Sequence, residues 1–452
     1  MQTPAERSAI WWVRRDFRVH DNPVITRAQK NHLTVVPVVI ADDTSWFTGN
    51  DPRCRIFQES LARFIEEVRK YGGSVLVRAG EPIQELADIL ASTQSSVVYS
   101  LRPDDDKSKN LFRRAKSKFH LLPIKDESRR YSKCPDSLPT GNFRYFFNAW
   151  QSIPLGESNS DATKSIVFRS LQPDKKSIAI ANKPDSLSIL KRDFFATRGL
   201  LTNYSLEKDR VDITTTSRLS PFISNGVLSQ SDLFKAAKTS VEKNPTMSES
   251  AKEYQRQIAW RDYFSAILYK TPELELRTLD ASLLSIPWEN HEDDYSRWVN
   301  GETGYPIVDS AMRQLSTEGW IHNRLRMIVA SFLVKHLLVD WRLGMLHFQS
   351  TLVDHDTAAN SGNWQWIAGT AYFSAPYFRI FNPVIQGVKC DPHGSYVRRW
   401  VPELVNIPDK YIHSPWSYHT KTAMYPAPII DHITARERTL KIFKTAKTLT
   451  AN

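Results

Sequence analysis

The chain has 452 residues, 41% of them hydrophobic and 24% charged. That balance fits a globular protein of two or three domains and excludes a disordered or collagen-like chain. Lysine and arginine outnumber aspartate and glutamate by 60 to 49, a net charge of +11, which suits a polyanionic partner such as nucleic acid without requiring one. The longest apolar stretch, Leu33 to Ala41, falls well short of the roughly 18 residues of a membrane span. The opening residues lack the apolar core of a signal peptide, so a cytoplasmic location away from any membrane is expected. Cys54, Cys134 and Cys390 are odd in number and widely spaced, so neither a disulfide framework nor a structural zinc is expected.

Short β-branched runs at Ala9 to Val13, Val35 to Ile40, Ser74 to Val77, Ser96 to Tyr99 and Leu121 to Ile124 alternate with amphipathic stretches and read as buried parallel strands. Between the second and third, Phe57, Leu61, Phe64, Ile65 and Val68 recur at helical spacing over Cys54 to Lys70, and Tyr71-Gly72-Gly73 supplies a stop. The pattern predicts a doubly wound (Rossmann-like) α/β domain over 1–127. The first strand ends in Arg14-Arg15-Asp16-Phe17-Arg18 rather than G-x-G-x-x-G, so the dinucleotide fingerprint is absent. From 128 to 186 no period is sustained, as in Leu138-Pro139-Thr140-Gly141-Asn142 and around residues 172–176, and this stretch reads as an inter-domain connector. From 187 to 452 the chain is mainly helical, with runs such as Ala251 to Leu268, Ile307 to Leu315 and Leu325 to Leu338. Nine of the thirteen tryptophans lie between Trp260 and Trp416, so the aromatic content belongs to this half.

Three clusters in the helical half could carry chemistry. The run from Asp354 to Trp366 (Asp-His-Asp-Thr-Ala-Ala-Asn-Ser-Gly-Asn-Trp-Gln-Trp) is polar, aromatic and glycine-bearing at once. Its two carboxylates lack a third ligand at metal-binding spacing, so no metal is expected, and Asp354 or Asp356 could equally cap a helix with core tryptophans. In Trp320 to Met327, Asn323, Arg326 and Met327 fall within one helical turn while Arg324 points elsewhere. Its arginines could hold a phosphate or a carboxylate, or simply form a solvated face. Thr214 to Pro221 opens an apolar helical run, where hydroxyls and free amides suit a phosphate as well as an ordinary cap.

The joint order of these and further motifs resembles the photolyase and cryptochrome flavoprotein family across nearly the whole chain, most closely a class I type cyclobutane pyrimidine dimer DNA photolyase. The matching residues begin with Trp12 to Arg18 and Asp21-Asn22-Pro23, and continue through Thr216 to Ser220, Trp260 to Tyr263 and Thr303 to Asp309. They go on through Trp320 to Met327, Asp340-Trp341-Arg342, Asp354 to Trp366, Asn382-Pro383 and Arg398 to Leu404. The resemblance implies an α/β antenna domain and an all-helical domain holding FAD, acting on UV-damaged DNA as a monomer.

By that resemblance, Tyr204, Thr216, Ser217, Arg218, Leu219 and Ser220 contact the flavin phosphates and ribityl chain. Arg326 and Asp354 form a pair beside the isoalloxazine, with His355 and Asp356 also at the flavin, and Asn360 faces N5, where a neutral amide can hydrogen-bond without protonating. Trp364, Trp341 and Trp288 match the electron-transfer tryptophans, Trp288 standing ten residues before Trp298. Trp260 and Trp366 resemble the aromatic walls of a lesion cavity and Asn323, Arg324, Met327 and Gln386 its rim. Lys208, Arg324, Arg342, Lys389, Arg398 and Arg399 are candidate phosphate contacts.

Two departures stand out. Gln257 occupies the place where relatives of this type commonly carry Glu, three residues before the cavity tryptophan, and an amide supplies neither a proton nor a negative charge. The segment Arg102 to Lys107 lacks the Asn-Glu pair that helps hold a folate, so a folate, a deazaflavin, a second flavin or no antenna all fit. The (6-4) branch is disfavoured because Asn323 and Met327 stand where that branch has paired histidines. A cryptochrome-like photoreceptor is the alternative, motivated by Gln257 and opposed by the mere 48 residues after Leu404.

Overall fold

The computed structural model describes residues 8–31, 33–155, 166–171, 176–181, 185–374, 378–418 and 425–449. The opening seven residues and the loop 172–175, both read above, lie outside them. The chain forms two compact units, the first from 1–139, 144–199 and 217–270, the second from 140–143, 200–216 and 271–452. This grouping is by packing and does not follow the three expected segments.

The first unit is built on a five-stranded parallel sheet in the order β3-β2-β1-β4-β5, with β1 Ser8–Val13, β2 Thr34–Ala41, β3 Leu76–Ala79, β4 Val97–Leu101 and β5 Leu121–Ile124. Every residue of β1 is buried, as a central parallel strand covered on both faces demands. Three of the four crossover helices share a start signal. Asn22, Asp51 and Glu81 cap the helices Pro23–Lys30, Pro52–Lys70 and Pro82–Thr93, each with proline at the first position, where its missing N–H costs nothing. The helix Pro52–Lys70 ends at Gly72, whose φ of +76° few other residues would accept.

The third strand lies two residues later than the apolar run predicts. Ser74 is occupied by the backbone of Leu171 at 2.8 and 3.1 Å, and the strand instead includes Arg78, buried through its hydrogen bond to Ser177 (2.8 Å) and its proximity to Glu85 (3.8 Å). The stretch read as irregular holds a helix at Phe143–Ser152. There Trp150 donates its indole N–H to Asp262 at 2.9 Å, and Arg129 reaches the same carboxylate at 3.0 Å. Asp262 is fully buried, so one carboxylate of the helix Ser248–Lys270 ties down two parts of the apparent connector.

The second unit packs the helices Pro306–Glu318, Asn323–Lys335, Trp341–Thr351 and Thr357–Ala368 around one core that includes Leu325, Phe332, Trp298, Trp341 and Trp364. The helix expected to run to Leu338 stops at Lys335. Leu337 N–H turns back to the Phe332 carbonyl at 3.2 Å and Leu338 adopts a positive φ of 50°. The helix His432–Leu449 brings Phe443 and Ala446 into a smaller cluster with Leu283, Ile286 and Leu338. No helix among the described residues is long and apolar enough to cross a membrane.

Candidate functional site

Asp356, not Asp354, caps the helix Thr357–Ala368, its carboxylate accepting from Ala359 N–H at 3.0 Å. That frees Asp354 for another task. Its buried side chain accepts from the Arg326 guanidinium at 2.7 Å through Oδ2, and Arg326 Nε donates to the Ile321 carbonyl at 3.0 Å. Asp354 Oδ1 is buried without a hydrogen-bond partner among the described residues. A buried carboxylate oxygen left unsatisfied has the capacity to accept a hydrogen bond from a ligand's polar group or from an ordered water. These residues therefore fit the polar edge of a flavin. Asn360, one turn into the helix, is buried and donates from Nδ2 to the Met345 carbonyl at 3.0 Å. That bond fixes the amide plane and leaves its carbonyl oxygen to accept. His355 lies between the two acids, half-buried.

Four helical residues further on, Trp364 is buried with its ring edge-on to Trp298 (centroids 6.3 Å apart, planes at 72°) and to Phe348 (5.1 Å, 75°). Trp341, at the start of its helix, is fully buried and its indole N–H lies 3.4 Å from Thr278 Oγ1. Trp288 is half-buried and contacts Phe443 at 6.3 Å. All three expected electron-transfer tryptophans belong to the second unit, and a fourth tryptophan, Trp298, touches Trp364.

The residues expected at the flavin phosphates fall in both units. Tyr204 is buried at the head of the short helix Tyr204–Glu207, and Thr216 is half-buried. Ser217 to Ser220 follow in the first unit, with Arg218 at φ +49°. The apolar run they open is a helix of only five residues, Ser220–Ser224, and no side chain caps it. The ordinary-cap reading of these hydroxyls is therefore not realised.

The expected lesion-binding residues are likewise distributed. In the first unit, Trp260 stacks on Phe264 (5.8 Å, 28°) and meets Tyr263 edge-on, while Gln257 donates its amide N–H to Glu253 at 2.9 Å. In the second, Asn323 Nδ2 contacts Met327 Sδ at 3.8 Å on one helical face, and Arg326 leaves that face for Asp354. Trp366 and Gln386 are half-buried there. Several candidate phosphate contacts carry an internal counter-ion: Arg324 with Asp209 at 2.5 Å, Arg342 with Asp340, Arg398 with Asp409 at 2.7 Å and Arg399 with Glu318 at 3.8 Å. Each of these pairs keeps at least one partner open to solvent, so its contribution to stability is small. Lys389 is exposed and Lys208 half-buried.

Sequence reasoning missed His322. It caps the helix Asn323–Lys335 through Nδ1, which accepts from Arg324 N–H at 3.0 Å. Burial pushes its imidazole down to about 4, so it stays neutral and holds Arg324 and Arg326 at the helix start. Histidine is outside the usual capping set, so the letters alone carried no signal.

Comparison with known proteins identifies the family. Residues 9–118 match the sequence model described as DNA photolyase, and residues 254–445 match that of the FAD binding domain of DNA photolyase. A deoxyribodipyrimidine photo-lyase of Alkalihalophilus pseudofirmus is 32% identical, the match covering 96% of this chain and 97% of the relative. Among solved structures, a class III photolyase from Agrobacterium tumefaciens superposes with a TM-score of 0.84 at 32% identity, covering 99% of both chains. A Synechocystis cryptochrome does so with a TM-score of 0.85 at 25% identity, covering 98% of this chain and 100% of the other. A sheet without a dinucleotide fingerprint, a helical unit with a half-satisfied buried carboxylate, and similarity running the length of the chain lead to one assignment: the chain belongs to the DNA photolyase family.

Proposed function

We propose that this protein is a light-dependent DNA lyase that splits cyclobutane pyrimidine dimers in UV-damaged DNA, working as a cytoplasmic monomer. The observation that carries the reading is the Arg326–Asp354 pair with Asp354 Oδ1 unsatisfied, inside a segment matched to an FAD binding domain. Reduced FAD, when bound, would supply light-driven electron transfer to and from the dimer, with no net redox change.

The protein's own groups bind, orient and tune. Arg326 and Asp354 present a fixed charge pair to the flavin edge, biasing its protonation without reacting. Asn360 offers a hydrogen bond at N5 but no proton. Tyr204 and Thr216, of the second unit, hold the phosphates and ribityl chain, with His355 and Asp356 flanking the Asp354 side. Trp364, Trp341 and Trp288 return the resting protein to its working state by supplying electrons. Trp366, Asn323, Arg324, Met327 and Gln386, all of the second unit, receive a flipped-out dimer. Extrusion costs a few kcal/mol and least where pairing is already distorted, so damage is selected without reading sequence. Lys208 and the arginines of the second unit neutralise phosphates, making binding salt-dependent.

The test incubates chemically reduced protein with dimer-containing single-stranded and duplex DNA, in the dark and under blue light. Light-dependent loss of dimers supports the lyase. No loss on either substrate, with light-driven flavin reduction intact, would transfer the protein to the photoreceptor reading that the likeness to a cryptochrome structure and the presence of Gln257 favour.

A further inference from the structure

Trp364 has a ring neighbour that the expected route through Trp341 and Trp288 does not use. Trp298 lies 6.3 Å from it centroid to centroid, and Tyr295, one turn earlier on the helix Glu292–Asn300, stacks on Trp298 at 6.1 Å with planes 26° apart. Trp298 is fully buried, whereas Tyr295 is half-exposed. We propose that Trp364, Trp298 and Tyr295 form a second electron-supply branch, in which a tyrosine rather than a tryptophan is the terminal donor at the surface. The branch rests on the FAD-binding reading above.

Contact between rings matters because electron tunnelling falls off exponentially with the gap, and each step here passes between aromatic groups that touch. Among the described residues, of the rings around Trp298 only Trp364 and Tyr295 are readily oxidised; Phe348 and His347, its other ring neighbours there at 6.4 and 5.5 Å, are not. Burial pulls the His347 imidazole down, so it stays neutral and adds no positive charge against an oxidised Trp298. The Trp298 indole N–H is held by the Val329 carbonyl at 3.0 Å. That acceptor cannot take the proton, so oxidised Trp298 remains a cation and keeps its oxidising power. Tyr295 is placed differently. Burial holds its phenol above the ordinary value, so it starts protonated, but its partial exposure gives the proton a way out. Glu292, Asp293 and Asp294 fill the same first turn, and their negative charge favours a hole arriving there. Arg297, the cation on this helix, is engaged by the Glu302 carbonyl at 2.9 and 3.1 Å.

The balance is one electron per photon. Photoexcited oxidised flavin takes one electron from Trp364, Trp298 refills Trp364, and Tyr295 refills Trp298 while releasing its phenol proton to water or a neighbouring carboxylate. The product on the protein is a neutral tyrosyl radical, which an external thiol reduces.

The experiment uses FAD-loaded protein in the parent, Trp341→Phe, Trp341→Phe/Tyr295→Phe and Trp341→Phe/Trp298→Phe forms, illuminated without reductant and read by EPR and transient absorption. Trp341→Phe closes the expected route, so the branch predicts a light-induced tyrosyl radical in that variant. The signal should disappear in both double variants, with flavin reduction falling by about tenfold or more, 1.4 kcal/mol in barrier. Tyr295→Phe removes only a hydroxyl at a half-exposed position, so it reports even where Trp298→Phe disturbs the core. No tyrosyl radical in Trp341→Phe, or one that survives Tyr295→Phe, overturns the branch while the parent still reduces its flavin. A parent that binds no flavin overturns the functional reading, and the branch with it.

Discussion

Gly344 lies against the six-membered ring of Trp364: a Cβ at this position would stand 2.6 Å from Trp364 Cζ3 and 2.6 Å from Leu333 Cδ2. Two buried side chains leave no room for even one methyl group. Alanine favours a helix interior by about 1 kcal/mol over glycine, but overpacking a filled core costs about 1–3 kcal/mol. Gly344→Ala should therefore be destabilised on balance and should tilt or push away the Trp364 ring. Chemical denaturation together with the yield of light-driven flavin reduction checks both effects. Full stability and full yield would mean the ring does not depend on this gap.

On the proposed reading, Trp364 is the common entry to both electron routes. Trp364→Phe should abolish or greatly slow light-driven reduction of oxidised FAD, while flavin content and dimer repair by chemically reduced protein stay nearly unchanged. Phenylalanine keeps most of the packed volume but is far harder to oxidise. Stopped illumination followed by absorption spectroscopy measures the rate, and an unchanged rate would show a donor other than Trp364.

The Gln257 amide donates to Glu253 at 2.9 Å, so Gln257→Glu would set two carboxyl groups against each other. Like charges at that separation raise the pKa of one of them, and the new carboxyl would hold its proton at mildly acidic pH. Repair should rise by roughly fivefold, on the order of 1 kcal/mol for one stronger hydrogen bond to the dimer. The gain should be present at low pH and fade as pH rises and the proton is lost. Quantum yields of repair across pH test this. A drop in repair with DNA binding preserved would mean that the lesion site is built around the amide.

Lys335 is buried on the second unit's core, its ammonium 2.5 Å from the Arg379 carbonyl and 4.3 Å over the Phe378 ring. Burial depresses it from 10.5 to about 7. Between these values the unfolded chain holds a proton that the folded chain lacks, so stability contributed at this site increases with pH from 7 towards 10.5. Lys335→Met removes the titration. The variant should be the more stable form at pH 7, with the gap narrowing by at least about 1 kcal/mol by pH 10. Urea denaturation of both proteins at several pH values decides it, parallel pH profiles being the adverse result.

The parts of the fold legible in the sequence are those whose cause is local. The five consecutive apolar residues of β1, Ala9 to Val13, and the cap-then-proline starts at Asn22, Asp51 and Glu81 announce themselves within a few positions. The register of β3 was not legible, because Arg78 is made tolerable in a strand by Glu85 and Ser177, a helix side chain and a residue far along the chain. The helix Phe143–Ser152 does carry a helical spacing in Phe143, Phe146, Phe147 and Trp150, but its polar and proline-rich flanks obscured it. At the site, the motif order pointed to Asp354 and Arg326 together. It could not point to the Trp298 contact, because ring orientation around Trp364 depends on the space left by Gly344 on another helix.

The strand order has a consequence for how the protein is made. β1 sits at the centre of the sheet, yet it leaves the ribosome first, and one of its two neighbours, β4, is encoded only after β2 and β3. Until then the flank of Ser8–Val13, with its two adjacent tryptophans, has no lawful partner and is a template for any other nascent strand. Pairings between such distant segments are slow to form because the intervening loop must first be closed. A growing chain of this design is therefore most vulnerable early, and has reason to engage a holding chaperone before its sheet can close.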